Sequence, residues 1–447
     1  MKHAFFSLLA TSAAVSAFGM VDISNATVSQ GFGTRDVTVS YDIISTDEPN
    51  TPVYIGFDVL TNGVSIGLEN IKTLEGDIHQ DSTAKAPFTA GTGYSFVWKA
   101  RKDWPDHRIK DAQVKITAYT KADFEDMCDY LCVDLSAGAS AANYPVTYSM
   151  TGPDTTKDAW KKTQLWMRRI RVAPKTTFQI GTPDTSLCKS AGSKTQNVSL
   201  VNDYWIAVVE MTQGQRNLID GTAYSQWAEC SVHSVSYKTI RGNNGWITSK
   251  TPSSSSILGK LAARTGLNFD LPTGVQWEYA CRAGTTTDLN TGKNVTSTTE
   301  LCPNLDEVAW CHLNAKGTIP WAVGLKKANA WGLYDMHGLM SEFCLERNRG
   351  ENSDWVMQYK GNTEPFVDRA HKIDGGAWAE GDSSHREIRG GHWKCGPGGV
   401  HSTTVLFASG YSGNFYWMNA NGTADWLGFR PAITKNNELN KYSWADY

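Results

Sequence analysis

The sequence lacks an excess of charge of either sign, and this lack excludes one class of partner. Its 447 residues include 42 lysines and arginines against 45 aspartates and glutamates. No stripe of basic residues interrupts that balance. A protein that binds nucleic acid through the phosphate backbone needs such a stripe or patch. We therefore predict no nucleic-acid partner.

Long apolar runs are also missing after the start of the chain. A transmembrane helix needs about 20 consecutive apolar residues, and no later segment reaches that length. The short apolar stretch from Ala4 to Val15 follows Lys2 and leads into Val15-Ser16-Ala17, a pattern typical of a signal-peptidase site. We predict a signal peptide over residues 1–17 and a secreted, periplasmic or otherwise extracytoplasmic protein. The alternative for this stretch is a buried strand or helix.

Cysteine is missing beyond Cys395, and the total of nine leaves at least one thiol unpaired within a monomer. All nine follow the predicted signal peptide, and an oxidising compartment permits disulfides among them. Cys128 and Cys132 are close enough in sequence to pair or to hold a metal, but no second ligand pair at zinc-site spacing accompanies them. A local disulfide or two buried thiols fits this pair, and the connectivity of the others stays open.

Apolar and polar residues alternate in several segments between residues 21 and 122. The clearest alternating apolar positions are Val37, Val39, Tyr41 and Ile43, then Val53, Ile55, Phe57 and Val59, and later Val114 and Ile116. Alternation with a period of two indicates strands with one buried face. We predict an all-β sandwich of immunoglobulin or fibronectin type over residues 21–135, and we expect no chemistry in it.

Residues 136–164 are rich in small and polar side chains, with Pro145, Gly152 and Pro153 as breakers. This composition predicts a linker to a second domain over residues 165–433, followed by a tail over 434–447. One helix of that domain can be placed locally. Thr273 and Gln276 have the spacing of a capping box, and Gly284 is suited to end the helix.

Six segments of the second domain, in the same order, resemble motifs of the formylglycine-generating enzyme, or sulfatase-modifying factor, family. They are Phe178–Pro183, Tyr204–Gln213, Leu271–Ala280, Asn329–Gly338, Arg389–Trp393 and Gly428–Arg430. The resemblance implies the irregular, loop-rich α+β fold of that family, which is related to the C-type lectin fold. It also implies a possible activity, the oxidation of a cysteine in a substrate sulfatase to formylglycine.

The oxidases of this family hold copper(I) between two cysteines that follow the RGGS motif, and paired thiolates suit that soft ion. By resemblance Cys395 stands at the first position and Val400 at the second. Cys395 is the catalytic and copper-ligand candidate, and His392 and Trp393 are the binding candidates. The missing second thiol argues against copper unless His392 or His401 supplies a nitrogen. Cys395 is otherwise an unpaired thiol or a disulfide partner.

A second segment of the sequence has the same pattern as the motif before Cys395. Residues 375–378 read GG-x-W, as do residues 390–393. The resemblance does not decide which of the two corresponds to the family motif. The earlier register places His385 near the later cysteine position and no cysteine at the earlier one, so either register breaks the copper pair.

The segment His337–Phe343 stands where the family has a calcium loop of the form HGNVWEW. Glu342 keeps the carboxylate of that loop, while Leu339 replaces its asparagine and removes one oxygen ligand. Glu342 is the calcium candidate, and its alternative role is an ion pair with a basic side chain.

Two hypotheses for function follow from these observations. The first is an exported sulfatase-modifying-factor-type domain that lacks oxidase activity and acts as a binding or accessory module for a protein or glycan ligand. The alternative is an active formylglycine-generating oxidase that matures sulfatases. Residues 411–423 combine aromatic and polar side chains, a composition that indicates either a recognition surface or turns with core aromatics.

Overall fold

The computed structural model describes residues 7–11, 21–31, 33–45, 52–67, 70–82, 85–105, 107, 112–172, 176–183, 185–188, 195–200, 202–224, 227–242, 251–316, 322–347, 386–400 and 422–434. The chain divides into two compact units. The first contains residues 1–131 and 147–152, and the second contains residues 132–146 and 153–447.

The first part of the chain is built mainly of strands. Its elements are β1 (Ser7–Thr11), β2 (Val21–Gln30), β3 (Val37–Ser45), β4 (Tyr54–Thr61), β5 (Val64–Ser65), β6 (Leu74–Gly76), β7 (Gly91–Trp98), α1 (Ala100–Asp103), β8 (Ala112–Tyr119) and α2 (Lys121–Met127). They form two four-stranded sheets with the orders β1-β8-β4-β5 and β2-β3-β7-β6.

The alternating residues of the sequence lie in these sheets as the period of two requires. Val37, Val39 and Tyr41 of β3 are buried, as are Ile55 and Phe57 of β4. Their side chains belong to one core to which both sheets contribute. The assignment to an immunoglobulin or fibronectin type stays a prediction.

A short strand lies inside the predicted signal peptide. Strand β1 runs parallel to β8, with Ser7 opposite Gln113 and Thr11 opposite Thr117. This pairing corresponds to the strand alternative for the N-terminal stretch. Residues 1–6 and 12–20 lie outside the described residues, and cleavage after Ala17 stays a prediction.

The elements of the rest of the chain are short, and helices and strands are mixed. The strands are β9 (Tyr130–Asp134), β10 (Val146–Ser149), β11 (Gln164–Ile170), β12 (Thr176–Ile180), β13 (Gln196–Leu200), β14 (Tyr204–Ala207), β15 (Phe269–Asp270), β16 (Ala309–Trp310), β17 (His337–Gly338), β18 (Ser341–Arg347), β19 (Arg386–Arg389), β20 (Leu427–Gly428) and β21 (Ala432–Thr434). The helices are α3 (Ala159–Lys162), α4 (Gln213–Asp220), α5 (Tyr237–Arg241), α6 (Ile257–Thr265), α7 (Gly274–Arg282), α8 (Pro303–Asp306) and α9 (His312–Ala315).

The structure differs from the predicted linker over residues 136–164. That segment contains β10 and α3, and its Tyr144 and Trp160 are buried. Tyr144 donates a hydrogen bond to the carbonyl of Leu218 at 2.7 Å. Such contacts fix the segment, because an aromatic ring that loses water and gains a hydrogen bond has a single favoured position. Small and polar composition alone did not reveal these anchors.

The second unit has an antiparallel sheet at its centre. Strand β14 pairs with β11 on one side and with β21 on the other, and β21 also pairs with β15. Helix α7 packs near it, with Val275, Trp277 and Ala280 in the same core as Tyr204 and Ile206. This mixture of strands and short helices confirms the α+β prediction, while the relation to C-type lectins stays a prediction.

Helix α7 begins as its sequence predicts. The Thr273 hydroxyl accepts from the Gln276 main-chain N–H at 3.1 Å, and the Gln276 side chain accepts from the Thr273 N–H at 3.0 Å. The helix ends one residue earlier than Gly284 suggests, because Ala283 adopts a left-handed φ of 45° and Gly284 continues with a φ of 88°.

Candidate functional site

The calcium candidate Glu342 lies at the fully buried centre of the second unit. Its Oε2 accepts hydrogen bonds from Trp277 Nε1 at 2.8 Å and from Arg430 Nε at 2.7 Å. Its Oε1 accepts from Arg430 Nη2 at 2.7 Å. Both carboxylate oxygens therefore already have charged or polar donors. The geometry favours the ion-pair role of Glu342 over calcium ligation.

The guanidinium of Arg430 joins three parts of the chain to this centre. Besides Glu342, it donates to the carbonyls of Ala207 and Tyr334, each at 3.1 Å. Arg430 is itself completely buried. A buried guanidinium needs such full hydrogen bonding, because its desolvation is costly. The GFR motif at the end of the domain thus supplies the counter-ion of the calcium-loop glutamate.

Two further buried carboxyl groups surround this pair. Burial raises the pKa of Glu210 well above its usual value, and the neighbouring Glu342 and Asp335 raise it further. Burial also raises the pKa of Asp335 to about 6. Glu210 accepts from the Met340 N–H at 3.1 Å, and Asp335 accepts from the Gly324 N–H at 2.6 Å. Burial and the neighbouring carboxyl groups therefore disfavour the charged form of Glu210.

Leu339 occupies the asparagine position of the family's calcium loop and has unusual backbone geometry. Its φ is 60°, in the left-handed region that favours glycine and asparagine. Its side chain is completely buried. The backbone therefore has a conformation that suits asparagine, while the side chain at this position is apolar and buried.

The segment with the calcium-loop pattern and the RGGHW segment lie side by side. The Gly338 N–H donates to the Gly390 carbonyl at 2.8 Å, and the Trp393 N–H donates to the Leu339 carbonyl at 3.0 Å. Glu342 also lies opposite Arg389 in the pairing of β18 with β19. The structure thus brings together two segments that the sequence singled out separately.

The paired glycines of RGGHW are required by the turn that leads to Cys395. Gly390 and Gly391 have φ values of 91° and 72°. A Cβ atom on Gly391 would lie 2.0 Å from the Gly399 carbonyl oxygen and 2.9 Å from Val400 Cγ1. The close approach of these two parts of the loop therefore excludes any side chain at position 391.

Position 400, where the 390–393 register places the second copper ligand, is filled by packing. Val400 is completely buried in a cluster with Leu289, Val295 and Leu305. Its carbonyl accepts a hydrogen bond at 2.9 Å from Nδ1 of the buried His337. Because the Asn290 N–H donates to His337 Nε2 at 3.2 Å, the proton of that imidazole is on Nδ1. Position 400 is part of the core and offers no metal ligand.

Cys395 packs at the edge of the same cluster and is half-buried. Burial, together with the neighbouring Cys311, raises the pKa of its thiol to about 12. Its carbonyl accepts from the His312 N–H at 3.0 Å. Cys395 is thus the one thiol at the two family positions, whereas copper(I) there is held by a pair of thiolates. The residues present do not fit the family's copper site.

The two binding candidates differ in exposure. Trp393 is buried and its indole contributes to the core. His392 is half-buried and stacks on Trp426, with ring centroids 4.4 Å apart and planes at 21°. Burial lowers the pKa of His392 to about 3, so the ring is neutral. Its Nδ1 accepts from the Lys394 N–H at 3.2 Å, which leaves the proton on Nε2.

Sequence reasoning missed the partners of His392. Trp426 is half-buried, and the exposed Lys394 forms an ion pair with Asp425 at 2.8 Å. We call His392, Lys394, Asp425 and Trp426 the His392 surface. Trp426 and Asp425 lie more than thirty residues from His392 in sequence, and no local pattern links them. His385, His401, the motif at 375–378 and residues 411–421 lie outside the described residues.

The structure also shows the state of the other cysteines, including the pair Cys128 and Cys132. No disulfide joins the cysteines in the structure, and Cys128 and Cys132 are both buried. In this structure the pair has the form of two buried thiols, and a local disulfide between them stays a prediction. Within the described part of the chain, no group of three or more His, Cys, Asp or Glu side chains is arranged to hold a metal ion. In the same residues, no helix has the length and apolar character needed to cross a membrane.

The chain is similar, over part of its length, to three known proteins. PvdO from Pseudomonas aeruginosa is 18% identical, with a TM-score of 0.43 over 60% of this chain and 94% of its own. Treponema denticola variable protein 1 is 19% identical, with a TM-score of 0.42 over 61% of this chain and 95% of its own. The chaperone protein LppX of Paenibacillus barcinonensis is 36% identical over 94 residues, which are 17% of this chain and 31% of LppX.

The match to a family is more extensive. The sequence pattern of the sulfatase-modifying factor enzyme 1-like domain matches residues 157–435. This range contains all six motif segments and begins eight residues before the predicted domain start at 165. The chain therefore belongs to the family of proteins with a sulfatase-modifying factor enzyme 1-like domain, as its ordered motifs predict.

Proposed function

We propose that this protein is an exported binding or accessory module of the sulfatase-modifying-factor type that lacks the family's oxidase activity. One observation carries the proposal. Val400, at the position of the second copper ligand, is a completely buried core residue whose carbonyl is held by His337. A site with one neutral thiol cannot provide the paired thiolates that copper(I) requires.

The His392 surface is the binding site of this proposal. Its stacked imidazole and indole present rigid, flat side chains, and Lys394 and Asp425 provide a donor and an acceptor beside them. Rigid aromatics with adaptable polar neighbours are typical of recognition surfaces. The ligand class is a protein segment or a glycan. His392 takes part as a neutral ring, since its pKa lies near 3.

A second candidate function has one observation in its favour. Cys311 lies in the same cluster as Cys395 and supplies a thiol from a different part of the chain. An active oxidase could use this pair in place of Cys395 and a cysteine at 400. Burial raises the pKa of both thiols, which disfavours the thiolates that such a site needs.

Copper binding separates the two functions. The purified full chain is titrated with copper(I) in the presence of a competing chelator, and a cysteine-containing sulfatase peptide is assayed for formylglycine by mass spectrometry. We expect neither tight copper binding nor conversion. Stoichiometric copper(I) binding by the wild type that is lost in Cys395→Ser would instead overturn the proposal and favour the oxidase.

Two variants complete this experiment. Val400→Cys restores the family's second thiol, and Val400→Ala is its matched control for loss of packing. If copper(I) binding arises in the cysteine variant alone, the loop is competent and only the ligand is missing. Binding by both variants or by the wild type would contradict the proposal.

A further inference from the structure

Two cysteines that are far apart in sequence meet in the cluster beside Val400. Cys311 is the N-cap residue of helix α9 and is completely buried. Cys395 lies in the loop after β19 and contacts the same cluster from its edge. The chain between them covers 83 residues, so no local pattern in the sequence joins them.

The main chains at these two positions are hydrogen-bonded to each other. The His312 N–H, directly after Cys311, donates to the Cys395 carbonyl at 3.0 Å, and His312 Nδ1 lies 3.1 Å from the same oxygen. Both cysteine side chains also belong to the same cluster of packed residues. A disulfide requires a Cα separation of about 4.4–6.8 Å. The main-chain hydrogen bond and the shared cluster therefore place the two cysteines close together, as such a bond requires.

We propose that Cys311 and Cys395 form a disulfide in the exported protein, a cross-link between the start of α9 and the loop that follows the RGGHW motif. The proposal rests on the export included in the proposed function, because an oxidising compartment is needed. It also gives Cys395 a role that the family's copper chemistry does not supply.

The chemistry has a defined order. The half-exposed Cys395 attacks a disulfide of a thiol–disulfide oxidant, forms a mixed disulfide and expels one thiolate of the oxidant. The Cys311 thiolate then attacks the Cys395 sulfur, forms the protein disulfide and expels the second thiolate. The two protein thiols lose two protons and two electrons, and the oxidant leaves as a dithiol.

The disulfide would be structural. The cluster around it is apolar, with Leu305, Val308 and Val400 buried against it. Such surroundings keep reductants and thiolates away from the bond. The cross-link would hold the loop of Cys395 against α9 and thus fix the neighbouring His392 surface. It would also remove Cys395 from metal binding.

Peptide mapping of the full chain from the extracytoplasmic fraction tests the proposal. The protein is alkylated under denaturing, non-reducing conditions and digested. We expect a cross-linked pair of peptides that contain Cys311 and Cys395, converted to two alkylated peptides only after reduction. Cys188 and Cys302 belong to the same cluster. A link from Cys395 to either of them, in place of Cys311, would overturn the assignment.

Thermal unfolding provides a second measurement. A reductant should lower the unfolding midpoint of the wild type, and Cys311→Ser and Cys395→Ser should remove most of this response. Cys281→Ala is the control, because its thiol donates to the Met336 carbonyl in a different core cluster. It should lower the midpoint but keep the response to reductant. An equal response in all four proteins would contradict the cross-link.

The outcomes also separate this inference from the proposed function. Free Cys311 and Cys395 in an exported protein without copper would overturn the disulfide and leave the binding module intact. Free thiols with stoichiometric copper(I) would overturn both. A cross-linked pair with no copper binding supports both.

Discussion

The carboxylate of Glu342 accepts hydrogen bonds from Trp277 and Arg430 and so has a structural role in place of a metal-binding one. Removal of its charge should leave the buried guanidinium of Arg430 without its counter-ion. We expect Glu342→Gln to lower the free energy of unfolding by about 3–5 kcal/mol, the range for breaking a buried ion pair. Urea denaturation of the purified protein measures this loss.

A control for that variant is available on the surface. Glu307 forms ion pairs with Lys293 and Lys327, both of which are well exposed. Glu307→Gln should cost far less, because solvent screens an exposed pair. If the two variants unfold with the same loss, or if calcium stabilises the wild type but not Glu342→Gln, the ion-pair assignment of Glu342 is wrong.

The raised pKa of the buried Asp335 predicts that the stability of the folded protein depends on pH. Its pKa is raised from 3.8 to about 6 in the folded protein, so between these values the folded state holds a proton that the unfolded state has lost. Stability from this group therefore falls as pH rises from about 4 to 6, and by linkage the loss is about 3 kcal/mol. Glu210, with a raised pKa of its own, acts in the same direction.

The variant Asp335→Asn isolates that contribution. The amide oxygen can still accept from the Gly324 N–H, while the ionisable group is gone. We expect the variant to lose less stability than the wild type between pH 4 and 6 and to be more stable at pH 7. Unfolding free energies measured by urea across this range check it. Parallel curves for the two proteins would show that Asp335 is not protonated in the folded state.

Among the elements, the turn after β19 depends on a single glycine. In Gly391→Ala the residue would be strained at a φ of 72°, and its new Cβ would lie 2.0 Å from the Gly399 carbonyl oxygen. Gly292 has a similar φ of 78°, but nothing lies within 4 Å of its Cβ position. Gly292→Ala should therefore cost only about 1–2 kcal/mol of backbone strain, and Gly391→Ala clearly more, as measured by chemical denaturation. Equal losses would mean that the loop relaxes freely.

Local patterns in the sequence predict elements well where neighbours in sequence make the contacts. The Thr273–Gln276 capping box and the alternating strand β3 are examples, because their hydrogen bonds and burial follow from spacing alone. The ordered motifs add the family and the α+β fold. The partner of Glu342, however, is 88 residues away at Arg430, and the approach of Cys311 to Cys395 depends equally on tertiary packing. The spacing of residues in the sequence therefore does not predict such contacts.

At the scale of the whole molecule, the N-terminal stretch is both strand β1 of the structure and part of the predicted signal peptide. These two roles exclude each other in the mature protein. Strand β1 pairs with β8 in the structure, whereas cleavage after Ala17 would remove it. The remaining sheet keeps the pairing of β4 with β8 over eight residue pairs, from Tyr54–Tyr119 to Thr61–Ala112. The buried core also draws on strands other than β1. The first unit therefore has the contacts to fold without residues 1–17.

We accordingly expect the mature protein to begin at Phe18 and to lie outside the cytoplasm. Intact-mass measurement of protein from the extracytoplasmic fraction gives its N-terminus. A chain of residues 18–447 should then unfold with the same midpoint for the first unit as the full chain, because β1 is a single edge strand and its loss breaks no core contact among the strands that remain. An extracytoplasmic protein that retains Met1, or a first unit that fails to unfold cooperatively without residues 1–17, would show instead that β1 is part of the mature fold.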